Sequence, residues 1–285
     1  MTSARVGRVT PAPDDHQREL HAELLSALDD DAFVRFEIDP GGLSRVRAEP
    51  GRGAAFVSLH PHRAVTWITS LAADPGSSDD IAVAVRLLVD LAAESAAAGD
   101  PVTGVTVSRG GRELLPAELR SPEAWQWDFW WTDVAPAPVV TAYADALSVV
   151  DLHESDPRIP LLLGLASPSA PISPGDPRVT RWAAIEDPEG GLPDTGGLAA
   201  LLAETLHRSG AAHLNDVATH PDRRGRSLAK ALCGQVTADA LAAGRPAVSL
   251  GMYADNDAAR RVYTALGFHC VRGQTSGPLT QDPPQ

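Results

Sequence analysis

Residues 213–229, His-Leu-Asn-Asp-Val-Ala-Thr-His-Pro-Asp-Arg-Arg-Gly-Arg-Ser-Leu-Ala, decide how the rest of the chain is read. His213–Thr219 reads as a strand, and His220–Arg226 is a polar turn carrying a proline, a glycine and three arginines. Ser227–Ala243 is apolar and alanine-rich, a helix closed by the Gly244–Pro246 turn. A strand over Ala247–Tyr253 and a helix over Asp257–Leu266 follow, ending at Gly267. This βαβα order sets the arginine-rich turn at a helix N-terminus, where first-turn N–H groups lack intrahelical partners and the macrodipole is positive. Such a turn is an anion site. Gly225 lets backbone approach a ligand closely, and Ala229 keeps the helix slim beside it.

The charge of the whole chain limits which anion fits. A formal charge of −13 and a pI near 5.0 repel nucleic-acid backbones, so no nucleic acid is expected. Against that field Arg223, Arg224 and Arg226 form a small basic cluster suited to a small anionic ligand. The two cysteines, Cys233 and Cys270, are too few for a disulfide framework and lack metal-ligand spacing. A reducing cytoplasm and no metal are the expectation. No basic-then-apolar leader and no long apolar run occur, which argues for a soluble chain without a membrane partner.

A second motif raises the specificity of the first: Asn256-Asp-Ala-Ala259-Arg-Arg-Val-Tyr263-Thr-Ala-Leu-Gly267-Phe268. Together they resemble the signature of the GNAT family of N-acetyltransferases, Arg/Gln-x-x-Gly-x-Gly/Ala followed by Asn-x-x-Ala-x-x-x-Tyr-x-x-x-Gly-Phe. Arg224, Gly225 and Ala229 correspond to the first element, and Asn256, Ala259, Tyr263, Gly267 and Phe268 to the second. Ser227 stands where many members have glycine. The resemblance covers Ala212 to Phe268. It implies an α/β fold with a mixed sheet and an acyl-CoA N-acyltransferase domain.

The resemblance also implies a reaction and a donor. Acetyl-CoA would be bound with its pyrophosphate on Arg224, Gly225, Arg226, Ser227, Leu228 and Ala229. Its pantetheine arm would lie along Val217, Ala218 and Thr219 and on Asn256. A substrate amine attacks the thioester carbonyl directly, and coenzyme A leaves as thiolate. Free N–H groups around Val217 to Thr219 would polarise the carbonyl, each such donor contributing about 2.7–4 kcal/mol in comparable oxyanion sites. Tyr263 would act as general acid toward the departing sulfur. Asp216, next to Val217, is the candidate general base, with His213 and His220 weaker candidates for a proton relay. Cys233 lies mid-helix on an apolar face, which argues against an acyl-cysteine intermediate. The acceptor expected is a small-molecule amine. A protein lysine or N-terminal amine, and a non-catalytic acyl-CoA sensor, are the alternatives. A monomer or homodimer is compatible with all three.

At 285 residues the chain has room for two modest domains. Residues 1–16 are polar and expected to be disordered. Gln17–Leu28 has helical spacing, Ala54–Leu59 and Ala64–Leu71 read as strands about a Pro-His turn, Ile81–Ala98 is a helix and Val102–Val107 a strand. Trp125–Trp131 reads as a strand and Asp133–Val139 as a stiff linker. Thr141–Leu152 is expected to be helical, Ser167–Pro177 a loop, and Val179–Ile185 and Leu198–Leu206 strands. Ser-Leu-Ala-Ala-Asp-Pro at 70–75 lines up with Asp-Val-Ala-Thr-His-Pro at 216–221, each followed by a polar turn, an alanine-rich helix and a valine-rich strand. A tandem repeat results, with a domain over 17–135 and another over 136–285. In the first repeat the turn is Gly76-Ser-Ser-Asp79-Asp80, whose carboxylates suit a helix start and repel pyrophosphate. No Asn/Tyr element follows it. The first domain is therefore expected to be a degenerate copy that binds no coenzyme.

Overall fold

The computed structural model describes residues 12–59, 65–141, 143 and 147–279. In chain order the elements are α1 (Asp15–Ala27), α2 (Ala32–Glu37), β1 (Leu43–Glu49), β2 (Gly53–Leu59), β3 (Thr66–Ala72), α3 (Ser78–Ala97), β4 (Gly104–Ser108) and β5 (Trp125–Thr132). Then come β6 (Val149–Leu152), α4 (Arg158–Ala166), β7 (Val179–Glu186), β8 (Leu198–Leu206), β9 (Ala212–Thr219), α5 (Leu228–Ala242), β10 (Val248–Tyr253), α6 (Asp257–Ala265) and β11 (His269–Pro278). The chain forms two compact units. The N-terminal unit takes the described parts of 8–129, 252–256 and 270–285, and the C-terminal unit those of 130–251 and 257–269. Among the described residues no helix is long and apolar enough to cross a membrane.

In the N-terminal unit the strand order is β1-β2-β3-β4-β11-β5. β1, β2 and β3 form an antiparallel meander, and β3 runs through α3 into the parallel β4. Helix α3 starts at Ser78, ahead of the expected Ile81, because the turn residues themselves cap it. The Ser77 side chain accepts the Asp80 N–H at 3.2 Å, and Asp79 and Asp80 in the first turn complement the macrodipole. Its buried stripe of Ile81, Val85, Leu88 and Leu91 packs on Ala55, Val57, Ile68, Val105 and Val107 of the sheet. Burying each such side chain contributes about 1.5–3 kcal/mol.

The C-terminal unit repeats that order of elements. Its strands run β10-β9-β8-β7-β6, with β6 to β9 antiparallel in succession and β9 passing through α5 to the parallel β10. Helix α4 closes a core of Ile159, Leu162, Ile172, Trp182, Leu198, Leu201 and Ala218. Gly234 in α5 is a contact point, since a Cβ there would lie 3.1 Å from Leu266 and 3.2 Å from Val139.

Several expectations need correction. Thr141–Leu152 is not one helix. Val149–Leu152 is a strand that pairs antiparallel with β7, because β-branched Val149 and Val150 satisfy their backbone groups in the ladder, while residues 142 and 144–146 lie outside the described set. Order begins before Gln17: Asp14 and Gln17 form a capping box that starts α1 at Asp15. The Pro-His turn at 61–62, Ala64 and residues 1–11 lie outside the described set.

Candidate active site

The open end of the β9–β10 pair is the centre of the site. Among the described residues these parallel strands pair only at Ala212–Val248 and His213–Ser249. Among the described residues β9 has no ladder partner on that side from Leu214 onward, so the two strands part there. On its other edge β9 pairs with β8, and there the register slips: Leu201 faces Ala218, whereas Ala203 faces Asn215. Asp216 and Val217 together oppose one residue, which is a β-bulge. Asp216 sits at its tip with φ of 51°, a left-handed conformation that Asp tolerates better than most residues.

N–H groups alternate along a strand, and this fixes which of them face the gap. The His220 N–H donates to Ala199 O at 2.8 Å, on the β8 side. Those of Thr219 and Val217 therefore point away from β8, into the opening. The Thr219 carbonyl shares that side, and Arg224 Nε reaches it at 3.4 Å. Val217 and Thr219 are half-buried, while Ala218 packs into the core against Leu201.

Of Arg224–Ala229, residues 224–227 lead from β9 into α5, and Leu228 and Ala229 are its first two residues. Gly225 has φ of 76° and open space where a Cβ would be. Ser227 has φ of 63°, so it holds the left-handed conformation that glycine adopts more cheaply. Its side chain caps nothing in the helix. The first intrahelical bond runs from Ala231 N–H to Ser227 O at 2.9 Å. The N–H groups of Leu228, Ala229 and Lys230 thus stand ahead of the hydrogen-bonded ladder, with no side-chain cap to occupy them.

The three arginines differ in what they are free to do. Arg223 is a strut: its guanidinium donates to both oxygens of the buried Asp187 at 2.7 and 2.8 Å and to Gly190 O at 2.9 Å. Arg226 donates to the Tyr143 hydroxyl at 2.5 Å and pairs with Glu189. Arg224 is exposed and has no carboxylate partner among the described residues. The composite positive charge expected from the turn is thereby partly neutralised by Asp187 and Glu189. These two carboxylates went unnoticed in the sequence, where Asp-Pro-Glu-Gly-Gly at 187–191 reads as an ordinary turn.

Tyr263 lies on the buried side of α6, its ring 5.7 Å from that of Phe268. Its hydroxyl has no hydrogen-bond partner among the described residues. Burial, aided by the nearby Cys233, pushes the phenol well above its usual pKa, so it keeps its proton at neutral pH. Cys233 is fully buried, and burial pushes its thiol up to about 12. A thiol at that value supplies no nucleophile at neutral pH. Asn256 is exposed, directly precedes α6 in the chain, and donates its N–H to Tyr253 O at 3.1 Å.

Asp216 Oδ2 accepts the Ile172 N–H at 2.9 Å, tying the 167–177 loop to the bulge. Burial raises its carboxyl to about 6, against the opposing pull of that N–H and of Arg178. The relay histidines are otherwise engaged. His220 is buried, not solvated: its Nδ1 accepts the Asp222 N–H at 3.1 Å, which leaves the protonated Nε2 to donate to Asp194 at 3.1 Å. It shapes the turn. His213 bonds Ser249 Oγ through Nδ1 at 2.9 Å and packs edge-on against His207.

Residues 172–268 match the family described as "Acetyltransferase (GNAT) family". The fold is similar to a GCN5-related N-acetyltransferase from Sphaerobacter thermophilus, with a TM-score of 0.56 and 14% identity over 98% of this chain and 96% of that one. It is also similar to an acetyltransferase of the GNAT family from Colwellia psychrerythraea, with a TM-score of 0.50 and 12% identity over 80% of this chain and 86% of that one. None of the curated proteins matches the chain in sequence. The likeness in structure gives the mixed α/β acyl-CoA N-acyltransferase fold. The stretch 172–268, which holds the bulge, the open strand edge, the arginine turn and Tyr263, is thus the part of the chain similar to the GNAT family of acetyltransferases.

Proposed function

We propose that the chain transfers the acetyl group of acetyl-CoA to the amine of a small molecule by direct attack. The observation that carries this reading is the parting of β9 from β10 beside an uncapped helix N-terminus. The opening offers the Val217 and Thr219 N–H groups to the pantetheine and the thioester carbonyl. The turn offers the N–H groups of 228–230 and the Arg224 guanidinium to the pyrophosphate. No metal takes part in these steps.

Proton traffic follows from the two perturbed groups. Tyr263 keeps its proton at neutral pH and so serves as donor to the departing thiolate. Asp216, raised to about 6, is ionised at neutral pH yet basic enough to relay a proton from the incoming ammonium. One of its oxygens holds Ile172 and the other takes the proton. The same bond ties down the 167–177 loop beside the bulge, which favours a small acceptor over a polypeptide. In the N-terminal unit the matching helix start is already capped by Ser77, and Arg52 donates to Asp80 at 2.6 Å. That unit serves as scaffold and binds no coenzyme.

The test is acetyl-CoA-dependent release of free thiol with a panel of small amines and lysine peptides, for the wild type and Tyr263→Phe. Turnover confined to small amines supports the proposal. Turnover on peptides alone would replace it with the protein-acetylating alternative.

A further inference from the structure

Glu189 stands between two arginines as an anion would. Its Oε1 pairs with Arg226, its Oε2 lies 3.8 Å from Arg223 Nε, and the Tyr143 hydroxyl bonds the same carboxylate. The loop beneath is fixed from another direction. Asp187 N–H donates to Gly197 O at 2.8 Å, while Arg223 holds Asp187 and Gly190 O. The Glu189 and Arg226 side chains are 39% and 37% exposed, so their pairing is reached by water and exchanges partners at small cost. The buried Arg223–Asp187 pair, at 11% and 1%, is not of that kind.

From this we infer that Glu189 is an internal stand-in for the coenzyme's phosphate, which the incoming pyrophosphate displaces from Arg226. The inference rests on the reading of 224–229 as a pyrophosphate cradle. A pyrophosphate, with one charge on each of its two phosphates, outbids one carboxylate for a guanidinium and also takes the N–H groups of 228–230, which Glu189 leaves open. On displacement the Glu189 side chain swings to solvent while the loop backbone stays pinned. Glu189 thus lowers the affinity of the turn for anions and keeps Arg226 paired when no coenzyme is present.

Calorimetric titration of the full chain with coenzyme A, and separately with inorganic pyrophosphate, tests this. Glu189→Gln is expected to bind both about two- to fivefold more tightly than wild type, the span set by the modest strength of an exposed ion pair. The gain should shrink as salt is raised. Tyr143→Phe, which leaves the carboxylate in place, should give a smaller change in the same direction. An unchanged or weakened affinity in Glu189→Gln, with its melting temperature preserved, overturns the inference and leaves the coenzyme reading intact. Tighter pyrophosphate binding without any coenzyme A binding would do the reverse, sustaining the role of Glu189 and refuting the coenzyme reading.

Discussion

The two crossovers of this chain share an order of elements and part ways where their parallel strands meet. In the N-terminal unit β3 and β4 stay in register from Trp67–Gly104 to Ser70–Val107, and the Ala72 N–H beyond them is taken by Ser108 Oγ at 3.0 Å. The Trp67 ring lies against Gly104 so closely that an added Cβ would be 2.0 Å away, and its Nε1 donates to Thr106 at 2.8 Å. In the C-terminal unit β9 and β10 part after His213 and a bulge bends β9 at Asp216. The helix starts differ in the same sense. Ser77 caps α3, whereas Ser227 caps nothing. One crossover spends its polar groups on itself, and the other leaves them open.

The largest expected effect separates the units by activity. Tyr263→Phe removes the proposed proton donor and should lower kcat about 10²–10⁴-fold with little change in coenzyme affinity, measured by thiol release and by titration. Loss of binding along with activity would make Tyr263 a packing residue.

On the closed side, Gly104→Ala should destabilise the N-terminal unit by about 1–3 kcal/mol, because the methyl group displaces Trp67 from a packed position. Denaturant melts would reveal it. Stability within error of wild type would mean the β3–β4 pairing tolerates opening.

The helix starts give a smaller contrast. Ser77→Ala should cost about 1 kcal/mol through the lost cap. Ser227→Gly should instead stabilise the ligand-free chain by up to about 1 kcal/mol by relieving a left-handed serine. Equal losses in both variants would erase the distinction between a capped and an open start.

Acidity bears on the bulge through Asp216. The folded Asp216 carboxyl is raised from 3.8 to about 6, so it takes up a proton as pH falls through about 6 and the acetyl-transfer rate should fall with it. For stability the sign is opposite. A raised carboxyl is a group whose ionisation the fold resists, so the fold gains stability as pH drops from about 6 toward 3.8. Asp216→Asn should remove both slopes, which rate profiles and thermal melts across that range would show.

Much of this was legible in the chain, for identifiable reasons. The strand at Leu198–Leu206 and the βαβα run from His213 to Leu266 were readable because periodicity, Gly and Pro agreed there. Helix α4 was hidden by Pro160 and Gly164 inside nine residues, and β11 by two glycines and a closing proline, since tertiary pairing overrode weak local preference. At the site, sequence singled out the Arg224–Ala229 stretch, Tyr263 and Asp216, but not the bulge on which Asp216 sits. It did not show that Asp187 and Glu189 meet the arginines, because those contacts join positions 36 and 37 residues apart.

Counting coenzyme molecules by calorimetric titration of the intact chain tests the contrast most directly. One coenzyme A per chain, with affinity reduced at least tenfold by Arg224→Ala through loss of a charged hydrogen bond, is the expected result. Two per chain, or one that survives that substitution unchanged, would contradict a single working cradle at the open crossover.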